Sequence, residues 1–334
     1  MADADRASIL HDRAIIIDAH NDTLVERLAA GEDLDLTPID ERYDFDVTRA
    51  LQGGLTCSFF MAGSSGLDRA MALFDAMWWL AEIHPDLLLF ATCTADIERA
   101  QAEGKHAIVA QLESCSCLNE SLATLRNLHR LGLRVANLTH GEGGEGTTQQ
   151  TKSPFEFCTP ADREQARRGP GLTDFGRAVI AECNRLGIVV DLAHSSDAAF
   201  YEALELCSAP PIFSHGGVFA QSPHWRGLTD DQLRAFAAAG GVMGVAFHPR
   251  FIDPEAPSLE RLIDSVEYVI DLVGPEHIGF GADFDGMGSI EPIPPSADRV
   301  FDFTEALFAR GFDDDTVLRV LGGNFLRVLR DIIG

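Results

Sequence analysis

Eight short apolar runs, each followed by a stretch of helical periodicity, constrain this chain more than any other feature. They read "AIIIDAH" (14–20), "LTCSFFM" (55–61), "AIVAQLE" (107–113), "RVANLTH" (134–140), "GIVVDLAH" (187–194), "PPIFSH" (210–215), "GVMGVAF" (241–247) and "HIGFGADFD" (277–285). A ninth run, "LLLF" (87–90), reads as a short accessory strand or part of a helix connection. Strands rich in β-branched residues that alternate with helices indicate βαβ units and a parallel sheet. The helical stretches carry their own start and stop signals. In "SLERLIDSVEYVIDLVG" Leu259, Leu262, Ile263, Val266, Val269, Ile270 and Val273 share one face. "DFGRAVIAECNRLG" does the same with Phe175, Val179, Ile180, Cys183 and Leu186, and Gly187 stands at the stop position. Thr229 with Gln232 three residues on forms a capping-box pattern.

Eight such units predict one α/β domain over 1–334, a (β/α)8 barrel of the TIM type. At 334 residues the chain exceeds the ~250 that such a barrel needs, so the surplus belongs in loops. The largest is 141–171, "GEGGEGTTQQTKSPFEFCTPADREQARRGPG", which follows the fourth run and reads as a lid over the active face. Its "GEGGEG" lacks the Lys-Ser/Thr ending of a phosphate loop.

The polar residues fall at the ends of these apolar runs. His20 and Asp22 end the first, Glu113 the third, His140 the fourth, His194 the fifth, His215 the sixth and Asp283 the eighth. In a barrel those ends converge on the face where active sites are built. A lone histidine after a strand is more often structural than a ligand. Ligand types at the ends of six of eight strands are hard to obtain by chance. Imidazole and carboxylate are the usual donors to Zn²⁺ and Mn²⁺. His20 and Asp22, at i and i+2, point to one face of an extended chain. The set is larger than one catalytic ion needs, which suits two ions, and a carboxylate such as Glu113 can bridge a pair. His224 and His248 are reserve candidates to line the site. His11, His84, His106 and His129 read as surface residues. Cys115 and Cys117 read as buried filler, and Asp285 and Gly286 as turn residues.

Composition narrows the partners. Twenty-six basic against 52 acidic side chains leave a formal charge of −26, which disfavours nucleic acid and anionic membranes as partners. Seven cysteines, an odd number in a long chain, suit a reducing cytoplasm better than a disulfide framework. No signal peptide, membrane span or anchor tail is expected.

The blocks "IDAHNDTL", "ANLTH", "GLTDFGRAVIAECNRLGIVVDLAHSS", "PIFSHGG", "IGFGADFDGM" and "LGGNFLRVL" resemble the renal (membrane) dipeptidase family of zinc peptidases, in order and spacing, from about residue 14 to 329. The resemblance implies a (β/α)8 barrel with two zinc ions, with manganese or cobalt as alternatives. It implies that His20 and Asp22 hold one ion, that Glu113 bridges, and that His194 and His215 hold the other. His140 would contact the substrate near the scissile carbonyl, and Asp283 would handle the proton. Arg226, eleven residues after His215, would grip the substrate's terminal carboxylate with its guanidinium fork. The implied reaction is hydrolysis of a dipeptide by a metal-bridging hydroxide, with a D-residue at the C-terminal position left open. Related enzymes are often dimers, so a homodimer is the expected assembly. "SCSC" follows Glu113 where the family often has small glycines, the loop after His140 is unlike the Asn- and Trp-containing loop of the mammalian enzymes, and Phe251 stands where those enzymes have a tyrosine near the substrate. These departures bear on substrate preference and leave the ligand positions alone. A related amidohydrolase acting on N-acyl amino acids, lactones or β-lactams is the alternative. A non-catalytic metal-binding barrel is the second alternative.

Overall fold

Ten strands, all parallel, form the sheet of the computed structural model, which describes residues 3–63, 66–140 and 171–334. The proposed lid over 141–171 lies outside the described residues, apart from Gly171. The strands are β1 (Ile17–Asn21), β2 (Cys57–Gly63), β3 (Leu88–Phe90), β4 (His106–Glu113), β5 (Leu133–Asn137), β6 (Val189–Asp191), β7 (Ile212–Val218), β8 (Gly227–Leu228), β9 (Val242–Val245) and β10 (Ile278–Phe280). Pairing runs β2, β1, β10, β9, β7, β6, β5, β4, and the ring closes where β4 returns to β2, from Cys57 beside Ala107 to Gly63 beside Glu113. The eight barrel strands are the eight apolar runs of the sequence. The "LLLF" run is β3, which pairs with His106–Ile108 on the stretch of β4 that precedes its pairing with β5 at Ala110.

The barrel strands are buried along nearly their whole length, as sheets covered by helices require. The helix Leu259–Val273 turns Leu262, Ile263, Val266 and Val269 inward, and Thr229 with Gln232 makes a complete capping box on Asp230–Ala238. The helix Asp174–Leu186 stops at Gly187, whose φ of 71° is a left-handed conformation that glycine adopts without strain. The last helix, Asn324–Ile333, packs Phe325, Leu326, Val328 and Leu329 against residues near the starts of the strands, among them Ile17, Val189 and Ile212. One end of the barrel is thus filled with apolar side chains, and the polar strand ends gather at the other.

Two histidines depart from the surface reading. His11 is buried, with Nδ1 against Thr304 Oγ1 at 2.8 Å and Nε2 against Gly53 O at 3.0 Å. His106 opens β4, fully buried between Phe45 and Phe60, with Nδ1 3.0 Å from Leu55 O. The polar context that suggested exposure was a single turn, "EGKH", in front of an apolar strand. Burial pushes the His106 pKa down to about 4. A depressed histidine refuses the proton that the unfolded chain accepts near pH 6.5, so its contribution is present above that pH and lost as pH falls toward 4. Between pH 7 and pH 5 this lowers stability by about 2 kcal/mol. Urea unfolding of the wild type and of His106→Leu at both pH values is expected to show that much less acid sensitivity in the variant. Equal sensitivity in the two would contradict the assignment.

Candidate metal centre

Glu113 is the last residue of β4, and its side chain is the hub of the polar mouth. Its Oε1 lies 3.0 Å from His194 Nε2, 3.5 Å from His20 Nε2 and 3.6 Å from His215 Nε2. Its Oε2 lies 3.7 Å from His140 Nε2. Asp22 Oδ2 approaches His20 Nε2 to 3.3 Å, and Asp283 Oδ1 stands 4.0 Å from the same nitrogen. The rings of His20 and His215 stack with centroids 3.8 Å apart, and His194 Nε2 faces His215 Nε2 at 3.1 Å.

The backbone explains how one carboxylate gathers so many groups. The register of β1 against β2 slips between Asp18 and Asn21, around His20. That of β7 against β9 slips between Phe213 and Gly216, around His215. Such irregularities re-aim side chains that a regular strand would point elsewhere. His194 and Asp283 each lie three residues past their strands, both with φ of 65°, and Ser114, directly after Glu113, has φ of 71°. Non-glycine residues seldom take this left-handed region, and such strain tends to concentrate where function demands a particular geometry. Gly286 is needed for close approach: a Cβ there would stand 2.1 Å from Asp22 Oδ2 and 2.6 Å from Asp283 Oδ1. It is therefore more than the turn residue read from sequence, and Asp285 likewise anchors the loop by accepting from Thr23 Oγ1 and Asp44 N.

Among the described residues, three overlapping sets can each present three donor atoms to a cation: His20, Glu113 and His215; Glu113, His140 and His194; and His20, Asp22 and Asp283. His20 Nε2 and Asp22 Oδ1 are buried and make no hydrogen bond among the described residues, as atoms reserved for a cation would. The electrostatics agree. Burial disfavours a charged imidazole at His20, yet Asp22, Glu113 and Asp283 outweigh it and hold the pKa well above the ordinary value. Burial, reinforced by nearby Arg226 and the other histidines, holds His194 and His215 well below it, in the neutral form that binding a cation would require. Burial raises Glu113 to about 7 and Asp283 well above the carboxylate range, with His20 and Arg226 opposing and Asp22 adding in both.

Arg226 is buried beside this cluster. Its Nη2 donates to His215 O at 3.0 Å, and its guanidinium lies 5.6 Å from the ring centroids of both Trp225 and Phe251. His224 and His248 are buried against Phe251, with ring centroids 4.8 and 4.3 Å away. Each Nδ1 accepts a backbone N–H, from Arg226 and Arg250 respectively, which fixes each ring in the wall near Arg226. His140 is the most open member, with its side chain 34% exposed.

Behind the candidate ligands stands a polar layer that the sequence motifs leave unmarked. His20 Nδ1 meets Gln111 Oε1 at 3.0 Å, and Gln111 Nε2 donates to Asp191 Oδ2 at 2.8 Å. Ser214 Oγ meets His215 Nδ1 at 2.8 Å, and Asp18 Oδ1 accepts from His20 N and Ala282 N. A signal was available: Gln111 and Asp191 are polar residues inside the otherwise apolar runs 107–113 and 187–194.

Barrel and cluster together define a (β/α)8 protein with a histidine–carboxylate centre at the mouth formed by its strand ends. Residues 4–333 match the model of the membrane dipeptidase family, peptidase family M19, and the chain belongs to that family. It is 32% identical over 253 residues to dipeptidase aclJ of Aspergillus oryzae, a match that covers 74% of this chain and 57% of that protein. The chain spans 57–66% of the length of the curated relatives it matches. An amidohydrolase from Pseudomonas aeruginosa shares the fold with a TM-score of 0.83 at 23% identity, covering 98% of this chain and 99% of that one. A metallopeptidase from Rhodobacter sphaeroides, solved with a phosphinate mimic of the dipeptide L-Ala-D-Ala, does so at 0.80 and 23%, covering 96% and 99%. No helix among the described residues is long and apolar enough to cross a membrane.

Proposed function

We propose that this chain is a two-metal dipeptidase, with His20 and Asp22 on one zinc ion, His194 and His215 on the other and Glu113 between them. The observation that carries the reading is Glu113 Oε1 lying within 3.6 Å of three imidazole nitrogens. Membership of a dipeptidase family supports it. Bound there, the two ions would polarise the scissile carbonyl and bring the pKa of a water toward neutrality.

The protein's own groups do the rest. Asp283 takes the proton of the attacking water and passes it to the leaving amine. It stands beside the His20–Asp22 side and is held in place by its backbone N–H, which donates to His20 O at 3.2 Å. His140, reached both by solvent and by Glu113, meets the carbonyl oxygen as charge develops on it. Arg226 pairs with the free carboxylate of the substrate. Because its Nη2 is fixed to the carbonyl of His215, the grip is tied to the strand that carries one proposed metal ligand. That coupling sets a fixed distance from carboxylate to scissile bond, which restricts substrates to very short peptides. A D-residue at the C-terminal position belongs in this class, being the stereochemistry of the ligand in the Rhodobacter structure.

A panel of L,L- and L,D-dipeptides, N-acetyl amino acids, lactones and a β-lactam tests the reading. Zinc-loaded protein is expected to cleave dipeptides alone. Activity confined to acyl amino acids or lactones would replace the substrate while keeping the site. Arg226→Ala is expected to raise KM for free dipeptides by roughly 10–100-fold, the worth of a charge-assisted hydrogen bond, and to leave C-terminally amidated peptides unaffected. Equal losses on both would remove the carboxylate contact.

A further inference from the structure

We infer that Asp191 is a positioning residue that sets the proton polarity of the metal centre, acting on His20 through Gln111. The inference rests on the two-ion reading above. Asp191 ends β6 and is fully buried. Its Oδ1 accepts from Ala193 N at 3.0 Å and Ser214 N at 2.9 Å. Its Oδ2 accepts from Gln111 Nε2 at 2.8 Å and Asn137 Nδ2 at 3.5 Å. Ala193 precedes His194 and Ser214 precedes His215, so one carboxylate ties down the backbone beside two ligands and reaches a third through an amide.

The chemistry of that amide has one solution. A carboxylate that receives four donors can only accept. Gln111 must turn its NH₂ toward Asp191, which leaves Oε1 facing His20 at 3.0 Å. His20 Nδ1 must then carry a proton, and Nε2, turned toward Asp22 and Glu113, is the nitrogen left to give up its proton to a metal ion. His215 is not under the same control. Its Nδ1 faces the Ser214 hydroxyl, which donates or accepts equally well.

Asp191→Asn tests this without removing volume. The oxygen of the introduced amide stays with the two backbone N–H groups, which can only donate, so its NH₂ faces Gln111. Two NH₂ groups cannot face one another, so Gln111 turns over and presents Nε2 to His20. His20 Nδ1 becomes an acceptor, the proton moves to Nε2, and the ligand lone pair is gone. Zinc affinity on the His20–Asp22 side is expected to fall by roughly 10–100-fold, the usual cost of losing such an outer partner. Adding Gln111→Glu to Asp191→Asn puts an acceptor back in the middle of the chain and is expected to return the affinity to the wild-type range. Titration of the metal-free proteins with zinc chloride against a chromophoric chelator, with thermal melts alongside, gives both numbers without reference to turnover. Wild-type affinity in Asp191→Asn would overturn the inference, and so would a double variant no better than the single. A wild type that takes up no zinc would overturn the two-ion reading itself. If the variants do not fold, ¹⁵N spectra of histidines in the zinc-loaded wild type decide. A proton on His20 Nδ1 supports the inference, and its absence there overturns it.

Discussion

Glu113→Gln is expected to abolish metal binding and lower kcat/KM by at least about 10⁴-fold, roughly 5.4 kcal/mol of transition-state stabilisation. The neutral amide loses the charge that would bind both ions, and its NH₂ points at imidazole nitrogens that should be facing metal. The same substitution should not cost stability in the metal-free protein. Burial raises the Glu113 carboxyl to about 7, against the pull of His20. A raised carboxyl contributes stability that is present below its unfolded value and is lost as pH rises through the folded one. At pH 8 the metal-free wild type therefore carries a buried charge at a cost, and the amide removes it. Metal analysis, dipeptide kinetics and melts of chelated protein at pH 8 check all three. A variant that keeps two ions, or that melts well below the chelated wild type, would contradict the role given to Glu113. Function and stability pull in opposite directions here, as they commonly do at active sites.

Asp283→Asn should separate chemistry from metal binding. The variant is expected to keep two zinc ions and a near-normal KM while kcat falls roughly 10²–10⁴-fold, the range for loss of a proton-transfer group. Asp283 Oδ1 stands 4.0 Å from His20 Nε2, farther than Asp22 Oδ2 at 3.3 Å, which favours the proton role over a ligand role. Its position also belongs to a set that could hold a cation with His20 and Asp22. Zinc analysis of the variant discriminates: loss of an ion alongside kcat would make Asp283 a ligand, and near-normal kcat would remove it from the mechanism.

The barrel was legible because each strand is an apolar run and each helix has a periodic face and a punctuated end. The polar groups of the mouth were legible for a related reason: a histidine or carboxylate closing a buried strand is conspicuous. Their convergence was less so. The slips around His20 and His215 and the left-handed turns at His194 and Asp283 belong to the backbone's fit to its neighbours, which no single strand encodes. The apolar runs therefore read as reaching His194 and Asp283, whereas β6 ends at Asp191 and β10 at Phe280. Gln111 and Asp191 carry no such mark, because a lone polar residue within an apolar run has no periodic partner in sequence. Their partners are 80 residues apart and meet only once β4, β5 and β6 stand side by side. His11 and His106 show the converse error, in which local polarity concealed burial.

The measurement closest to the centre of this reading is the initial rate of hydrolysis of one L,L- and one L,D-dipeptide by chelated protein as zinc is added from zero to three equivalents. The expected result is no activity without metal and a rise that breaks at two equivalents for at least one of the two peptides. Activity that survives chelation, or two bound ions with neither peptide cleaved, would contradict it.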